Sequence, residues 1–310
     1  MKRWLIGIFI FVFLSLSVIY FVIPSTYSIS ISLPLKSRYD GVARVLTNIK
    51  YWNQWWPGSQ KDDTTFEYNS LRFTTKKLIV NTATVFVSKN EDTISGHISA
   101  VFQDQDSTAL QFHSDIALSA NPFTRLYLYF KALSIKSEIT DCILAIQQQF
   151  ESTTAIYGIE IEKKILTDSS LIALKKSFAY LPNTAEIYQM IESLTSYVSA
   201  YGGIVVNPPM MNCYTDDSLH YEVMIAVPVN KDIPAKAPFL LKKMVLGNAL
   251  ITEVTGDAHR VNNAQTELNH YVQDMQKVAP AIPYQSLVTN RMLEKDSTKW
   301  ITKLYYPVFY

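Results

Sequence analysis

The second half of the chain repeats itself, and a repeated unit must fold as two copies of one motif packed on each other. Tyr221–Val229, YEVMIAVPV, aligns with Trp300–Val308, WITKLYYPV, at an offset of 79 residues. The same offset pairs Leu171-Ile172 with Leu250-Ile251, Ala179 with Ala258, Asn183 with Asn262 and Ala185 with Ala264. Apolar alternation marks strands and 3.6-residue periodicity marks helices. Each copy therefore reads strand, helix, strand, strand: 159–178, 184–200, 203–214 and 219–228, then 244–257, 261–278, 284–292 and 299–307. Asn183 and Asn262 stand where helix N-caps belong. Pro228 and Pro307 each close a final strand, where the missing N–H costs little.

Further landmarks are Pro208-Pro209 followed by Tyr214, Gly256 before the second helix, and Pro307-Val308 near the end. With two βαββ units, they make residues 155–310 resemble the GyrI-like small-molecule-binding (effector-binding) domain. That resemblance implies a ligand cleft shared by the two units. It also implies an acidic residue in the third strand of the second unit, in an E-x-Y setting, receiving cationic ligands. Here the stretch is Pro283-Tyr284-Gln285-Ser286-Leu287, with Gln285 in the place of the acid and Leu287 in the place of the Tyr. A neutral amide does not balance a buried cation. The expected wall is Met210, Tyr214, Tyr284, Gln285, Trp300 and Tyr306, with Glu222 as a strand acid. Tyr305 and Tyr306 are consecutive, so only one of them can face a cleft. Aromatics with one polar handle suit a flat, neutral or weakly polar molecule.

The other end of the chain opens with a run of 20 uncharged residues, Trp4 to Ile23, preceded by Lys2 and Arg3 and stopped by Pro24. As a helix it reaches ~30 Å, the thickness of a bilayer's hydrocarbon core. A cleaved signal peptide has a shorter apolar region and a small-residue cleavage site, and PSTYS is a poor one. Residues 1–24 thus read as a single-pass transmembrane anchor, inserted through residues 4–23. Lys2 and Arg3 on the cytoplasmic side would leave the body outside the cytoplasm.

Between the two lies an α+β region, residues 25–154. Tyr27–Leu33 alternates as a strand, and Val42, Val45, Leu46 and Ile49 fall at helical spacing. Thr/Val/Phe/Ile-rich runs at 71–75, 78–87, 93–103 and 108–118 suggest an antiparallel meander, and 124–151 one long helix. This order, with the segment Trp52-Asn53-Gln54-Trp55-Trp56-Pro57, resembles the helix-grip domains of the START/polyketide-cyclase (SRPBCC) superfamily. These commonly hold a hydrophobic ligand between sheet and helix. Trp52, Trp55 and Trp56 are expected to be packing residues.

Chemistry-bearing motifs are scarce. His97, His113, His220, His259 and His270 form no ligand spacing, Cys142 and Cys213 have no CxxC partner, and no nucleotide-binding glycine loop or nucleophile elbow occurs. No metal or cofactor is expected. Lys and Arg number 28 against 27 Asp and Glu, which gives no basic face for nucleic acid. The chain reads as a membrane-anchored protein that binds a small hydrophobic or aromatic ligand. The alternative is a hydrolase or cyclase acting on a small hydrophobic substrate.

Overall fold

The computed structural model describes residue 4 and residues 17–167, 170–215 and 220–309. The chain is α+β and divides into two compact units, 1–156 and 157–310. Among the described residues no helix is long and apolar enough to cross a membrane. Most of the expected anchor, residues 5–16, lies outside the described residues, and 17–22 are helical.

The first unit runs β1 (Thr26–Leu35), α1 (Tyr39–Leu46), α2 (Trp52–Trp55), β2 (Ser59–Gln60), β3 (Thr65–Tyr68), β4 (Leu71–Ile79), β5 (Thr82–Lys89), β6 (Asp92–Phe102), β7 (Thr108–Ala117), α3 (Pro122–Phe150) and α4 (Thr153–Tyr157), whose last residue opens the second unit. Its curled antiparallel sheet has the order β1-β7-β6-β5-β4-β3-β2. The alternation of β1 buries Ile29 and Ile31 and leaves the intervening serines outside. One hairpin turns at Val80-Asn81, so the second run of the meander divides there rather than ahead of Leu78. Pro122 opens α3, and the Asn121 side chain accepts from the N–H groups of Phe123 and Thr124. Ala132, Ile135, Ile139, Cys142, Ile143, Ile146 and Phe150 form the buried stripe of this helix.

All three tryptophans of the W-x-x-W-W motif are buried and pack as core. Their indole N–H groups donate to the carbonyls of Leu46 (2.9 Å), Val45 (3.3 Å) and Glu67 (3.0 Å), respectively. Trp52 stacks on Trp56 and Trp55 on Phe150, with centroids 5.7 and 5.1 Å apart. Fully buried Phe66, Phe73 and Phe112 complete this interior.

The second unit contains β8 (Glu162–Leu166), β9 (Ser170–Phe178), α5 (Thr184–Ala200), β10 (Met210–Thr215), β11 (Tyr221–Pro228), β12 (Leu240–Lys243), β13 (Gly247–Thr255), α6 (Ala258–Asp274), β14 (Tyr284–Leu287) and β15 (Ile301–Pro307). Its eight strands are ordered β12-β9-β11-β10-β14-β15-β13-β8. The triplet β9-β11-β10 is therefore answered by β13-β15-β14, and the halves meet where β10 pairs with β14. Each half also lends its leading strand to the other: β8 pairs with β13, and β12 with β9. The expected first strand, 159–178, is thus two strands: β8 at one edge of the sheet, and β9 near the other, next to the edge strand β12.

The repeat is real, but its offset is not uniform. Pro228 pairs with Leu171 and Pro307 with Ala249, which makes Ala249, not Leu250, the counterpart of Leu171. In a strand that one-residue slip changes the face on which a side chain lies. Helix α6 follows α5 by 74 residues, and its N-cap is Asp257 rather than Asn262. Asn183 caps α5 in a full capping box with Glu186, while the Asp257 carboxylate accepts from the Arg260 N–H at 3.0 Å. The second copy is four residues shorter between its first strand and its helix, and five residues longer between β14 and β15, where the extra chain lies between Leu287 and Ile301. The expected strand 284–292 ends at Leu287, because Asn290 and Asp296 turn their side chains onto nearby backbone N–H groups.

Candidate functional site

Helix α5 packs on one face of the sheet through Ile187, Met190, Ile191, Leu194 and Val198, against Ile172, Val223, Ile225, Val227 and Leu287. Helix α6 lies over β13 and β15. The two central strands, β10 and β14, are left between the helices, and a cavity of about 390 Å³ opens there. Its floor carries Met211, Cys213 and Gln285, one wall carries Thr184, Ile187 and Tyr188 of α5, and the other Ala258, Val261 and Asn262 of α6. The segment 288–300 brings in Arg291 and Trp300.

That segment is pinned at several points. The Tyr188 hydroxyl donates to the Thr289 carbonyl at 3.0 Å and accepts from the Arg291 N–H at 2.8 Å. The Thr289 hydroxyl accepts from the Ile301 N–H, and the Trp300 indole N–H donates to the Glu294 carbonyl, each at 2.9 Å. Gly256, at φ +141°, turns β13 into α6 and gives its N–H to the Trp300 carbonyl at 2.8 Å. A side chain at Gly256 would meet Arg260 Cδ at 2.6 Å.

Arg291 lies above the Trp300 ring, its guanidinium carbon 4.9 Å from the centroid. One Nη donates to Thr302 Oγ1 at 2.8 Å, while Nε is buried and makes no hydrogen bond to a described residue. Burial pulls the guanidinium below its ordinary value, opposed by Tyr188; a guanidinium still stays protonated at neutral pH. Burial pushes the Cys213 thiol up, which keeps this floor residue protonated. The Gln285 amide makes no hydrogen bond to any described residue and lies open to the cavity.

Of the residues singled out in the sequence, Tyr214, Gln285 and Trp300 line this cavity. Met210 and Tyr284 lie on the opposite face of the sheet, beside a smaller hollow of about 190 Å³, where Tyr284 stacks on Tyr305 at 4.8 Å. Tyr306 is half-buried opposite Leu250 and is not among the lining residues. Glu222 pairs with Lys175 at 2.9 Å, and Lys175 also reaches the Tyr214 hydroxyl at 3.5 Å. That lysine, chiefly by its hydrogen bond, holds the Glu222 carboxyl below the usual carboxylate range. Glu253 pairs with Lys303 at 3.2 Å. Among the described residues no group of three or more His, Cys, Asp or Glu side chains could hold a metal ion.

The sequence reading missed Arg291, Tyr188 and Met211. Reading 284–292 as one strand hid Arg291, and Thr-Asn immediately before it was the available turn signal. A broader, more open hollow of about 620 Å³ lies on the outer side of Tyr188, edged by exposed Val288, Asn290 and Met292. It contains no buried polar atom lacking a partner among the described residues.

No protein-family model and no curated protein matches the chain. Solved structures similar to it include the EcmrR–DNA complex, at 14% identity over 60% of this chain and 69% of that one, TM-score 0.44. The EcmrR C-terminal domain aligns at 16% identity over 49% of this chain and 98% of that one, TM-score 0.41. SAV2435 bound to tetraphenylphosphonium aligns at 17% identity over 49% of this chain and 94% of that one, TM-score 0.36.

Proposed function

We propose that this chain is a membrane-anchored protein that binds a small aromatic molecule between the two halves of its second unit. The observation that carries this reading is the 390 Å³ cavity over the β10–β14 seam, where the Gln285 amide, bonded to no described residue, stands among aromatic and apolar walls. Sites for small molecules have this character: mostly apolar, concave, with few polar groups to set orientation. The GyrI-like resemblance of residues 155–310 agrees with it; the first unit takes a supporting role in this reading, because its interior is filled by its own aromatics. A nucleic-acid partner is no part of this reading, since acidic and basic residues nearly balance.

The anchor rests on the apolar run Trp4–Ile23 and on what surrounds its described end. The Tyr20 hydroxyl donates to the Ala120 carbonyl, and the Arg125 side chain donates to the Pro24 carbonyl at 3.2 Å while lying over the Tyr20 ring. On the same end of α3, Phe123, Tyr127 and Phe130 are 68%, 64% and 61% exposed in one stripe. Aromatic side chains at the end of an apolar span suit the membrane–water interface.

Calorimetry on the full chain in detergent micelles tests the binding reading, with naphthamide as the probe and Trp300→Ala as the comparison. A stacked aromatic pair is worth ~0.5–1.5 kcal/mol beyond its buried area, so the variant should bind several-fold more weakly. Binding that ignores Trp300→Ala would place the ligand elsewhere.

A further inference from the structure

We infer that the cavity selects a monoanionic aromatic ligand, an aryl carboxylate, with Arg291 as its counter-ion. This rests on the small-molecule reading above and adds the charge of the ligand.

Among the described residues lining the cavity, Arg291 is the only charged one. Among the described residues it has no salt-bridge partner and its solvent-shielded Nε has no acceptor, while Thr302 takes one Nη. A buried ionic group left uncompensated is costly, and so is a guanidinium N–H without an acceptor. The surroundings nevertheless hold it in place: Tyr188 fixes its backbone, Trp300 supports its plane, and fully buried Thr302 orients one nitrogen. The acids that flank the helix starts are engaged elsewhere. Glu186 is bonded to the Asn183 N–H and the Tyr180 hydroxyl, and Asp257 caps α6.

A planar guanidinium held this way matches the planar, two-oxygen geometry of a carboxylate better than an ammonium would. The Gln285 amide adds an N–H donor on the cavity floor. A single positive charge balances one negative charge, which favours a carboxylate over a phosphate dianion. The aromatic and apolar walls, Tyr188, Met211, Val261 and Trp300, accommodate the ring that carries it. An aromatic cation would instead meet Arg291 with no opposing acid among the described lining residues.

The test uses the full chain in detergent micelles, with naphthoate, naphthamide and naphthylmethylammonium as matched probes in calorimetry. Naphthoate should bind about tenfold more tightly than naphthamide, and the ammonium most weakly. Raising ionic strength from about 0.05 M to about 0.5 M should weaken naphthoate binding and leave naphthamide unchanged, a measurement that needs no variant. Arg291→Met should bring naphthoate and naphthamide to within about twofold, and Arg291→Lys should restore part of the preference. Naphthamide or the ammonium binding as tightly as naphthoate would overturn the inference and leave the small-molecule reading intact. So would a naphthoate preference that survives Arg291→Met. Absence of binding by all three probes would overturn both.

Discussion

Met211 and Gln285 face each other across the seam at the middle of the eight-stranded sheet, and each is the other's counterpart in the repeat. Met210 pairs with Ala226 as Tyr284 pairs with Tyr305, so the pseudo-two-fold axis passes between Met211 and Gln285. The backbone is symmetric there and the side chains are not: a thioether on one side, an amide on the other. Arg291 and Trp300 come from the second half alone, from the long segment between β14 and β15. The symmetric fold thus carries an asymmetric cavity, which would give a molecule bound there a single orientation.

Gln285→Glu should place a carboxylate on the cavity floor and supply Arg291 with an internal partner. Naphthoate affinity should then fall by about tenfold or more, and affinity for naphthylmethylammonium should rise, because a partly desolvated acid favours a cation. Calorimetry with the same probes checks it; an unchanged order of affinities would separate Gln285 from the ligand.

Helix capping distinguishes the observed repeat from a uniform one. Asn183→Ala and Asp257→Ala should each cost ~1 kcal/mol of stability, whereas Asn262→Ala, inside α6, should stay within ~0.5 kcal/mol. Urea unfolding of the three variants measures this. Equal costs at positions 257 and 262 would argue against the cap assignment.

Tyr188→Phe removes the hydroxyl that holds both the Thr289 carbonyl and the Arg291 N–H. Leaving the Arg291 N–H without its acceptor should destabilise the protein by ~1–2 kcal/mol. Because Arg291 then loses its backbone anchor, discrimination between naphthoate and naphthamide should narrow as well. A purely structural tyrosine would change the urea midpoint and leave that ratio untouched.

Trp55→Ala tests the filled interior of the first unit. The side chain is fully buried against Phe150 and Trp52, so truncation should cost ~3–5 kcal/mol. A cost below ~1 kcal/mol would indicate a site open to a ligand rather than a packed core.

Mass analysis of the protein recovered from membranes should find residues 1–23 retained. A soluble form beginning near Ser25 to Ser28 would remove the anchor from the proposed function.

Much of this was legible in the chain itself, and for a definite reason. Period-two alternation in Tyr27–Leu33, the Asn183 N-cap and the long apolar-periodic run of α3 are local consequences of residue order. So was the duplication, because two copies of one unit carry the same pattern. Which face each strand residue occupies was another matter. Met210 and Met211 look alike in sequence, and only the pairing of β10 with β11 and β14 decides that Met211 meets the cavity while Met210 joins Tyr284 and Tyr305 on the far side. A one-residue change of register reverses that choice without altering any local propensity. Arg291 was hidden for a related reason: its place above Trp300 depends on contacts with Tyr188, 103 residues earlier, and no local pattern records a contact made across the sheet. Residue order determined the elements and their duplication; strand pairing and the hydrogen bonds of Tyr188 decided which residues form the site, because facing and proximity are properties of the assembled sheet.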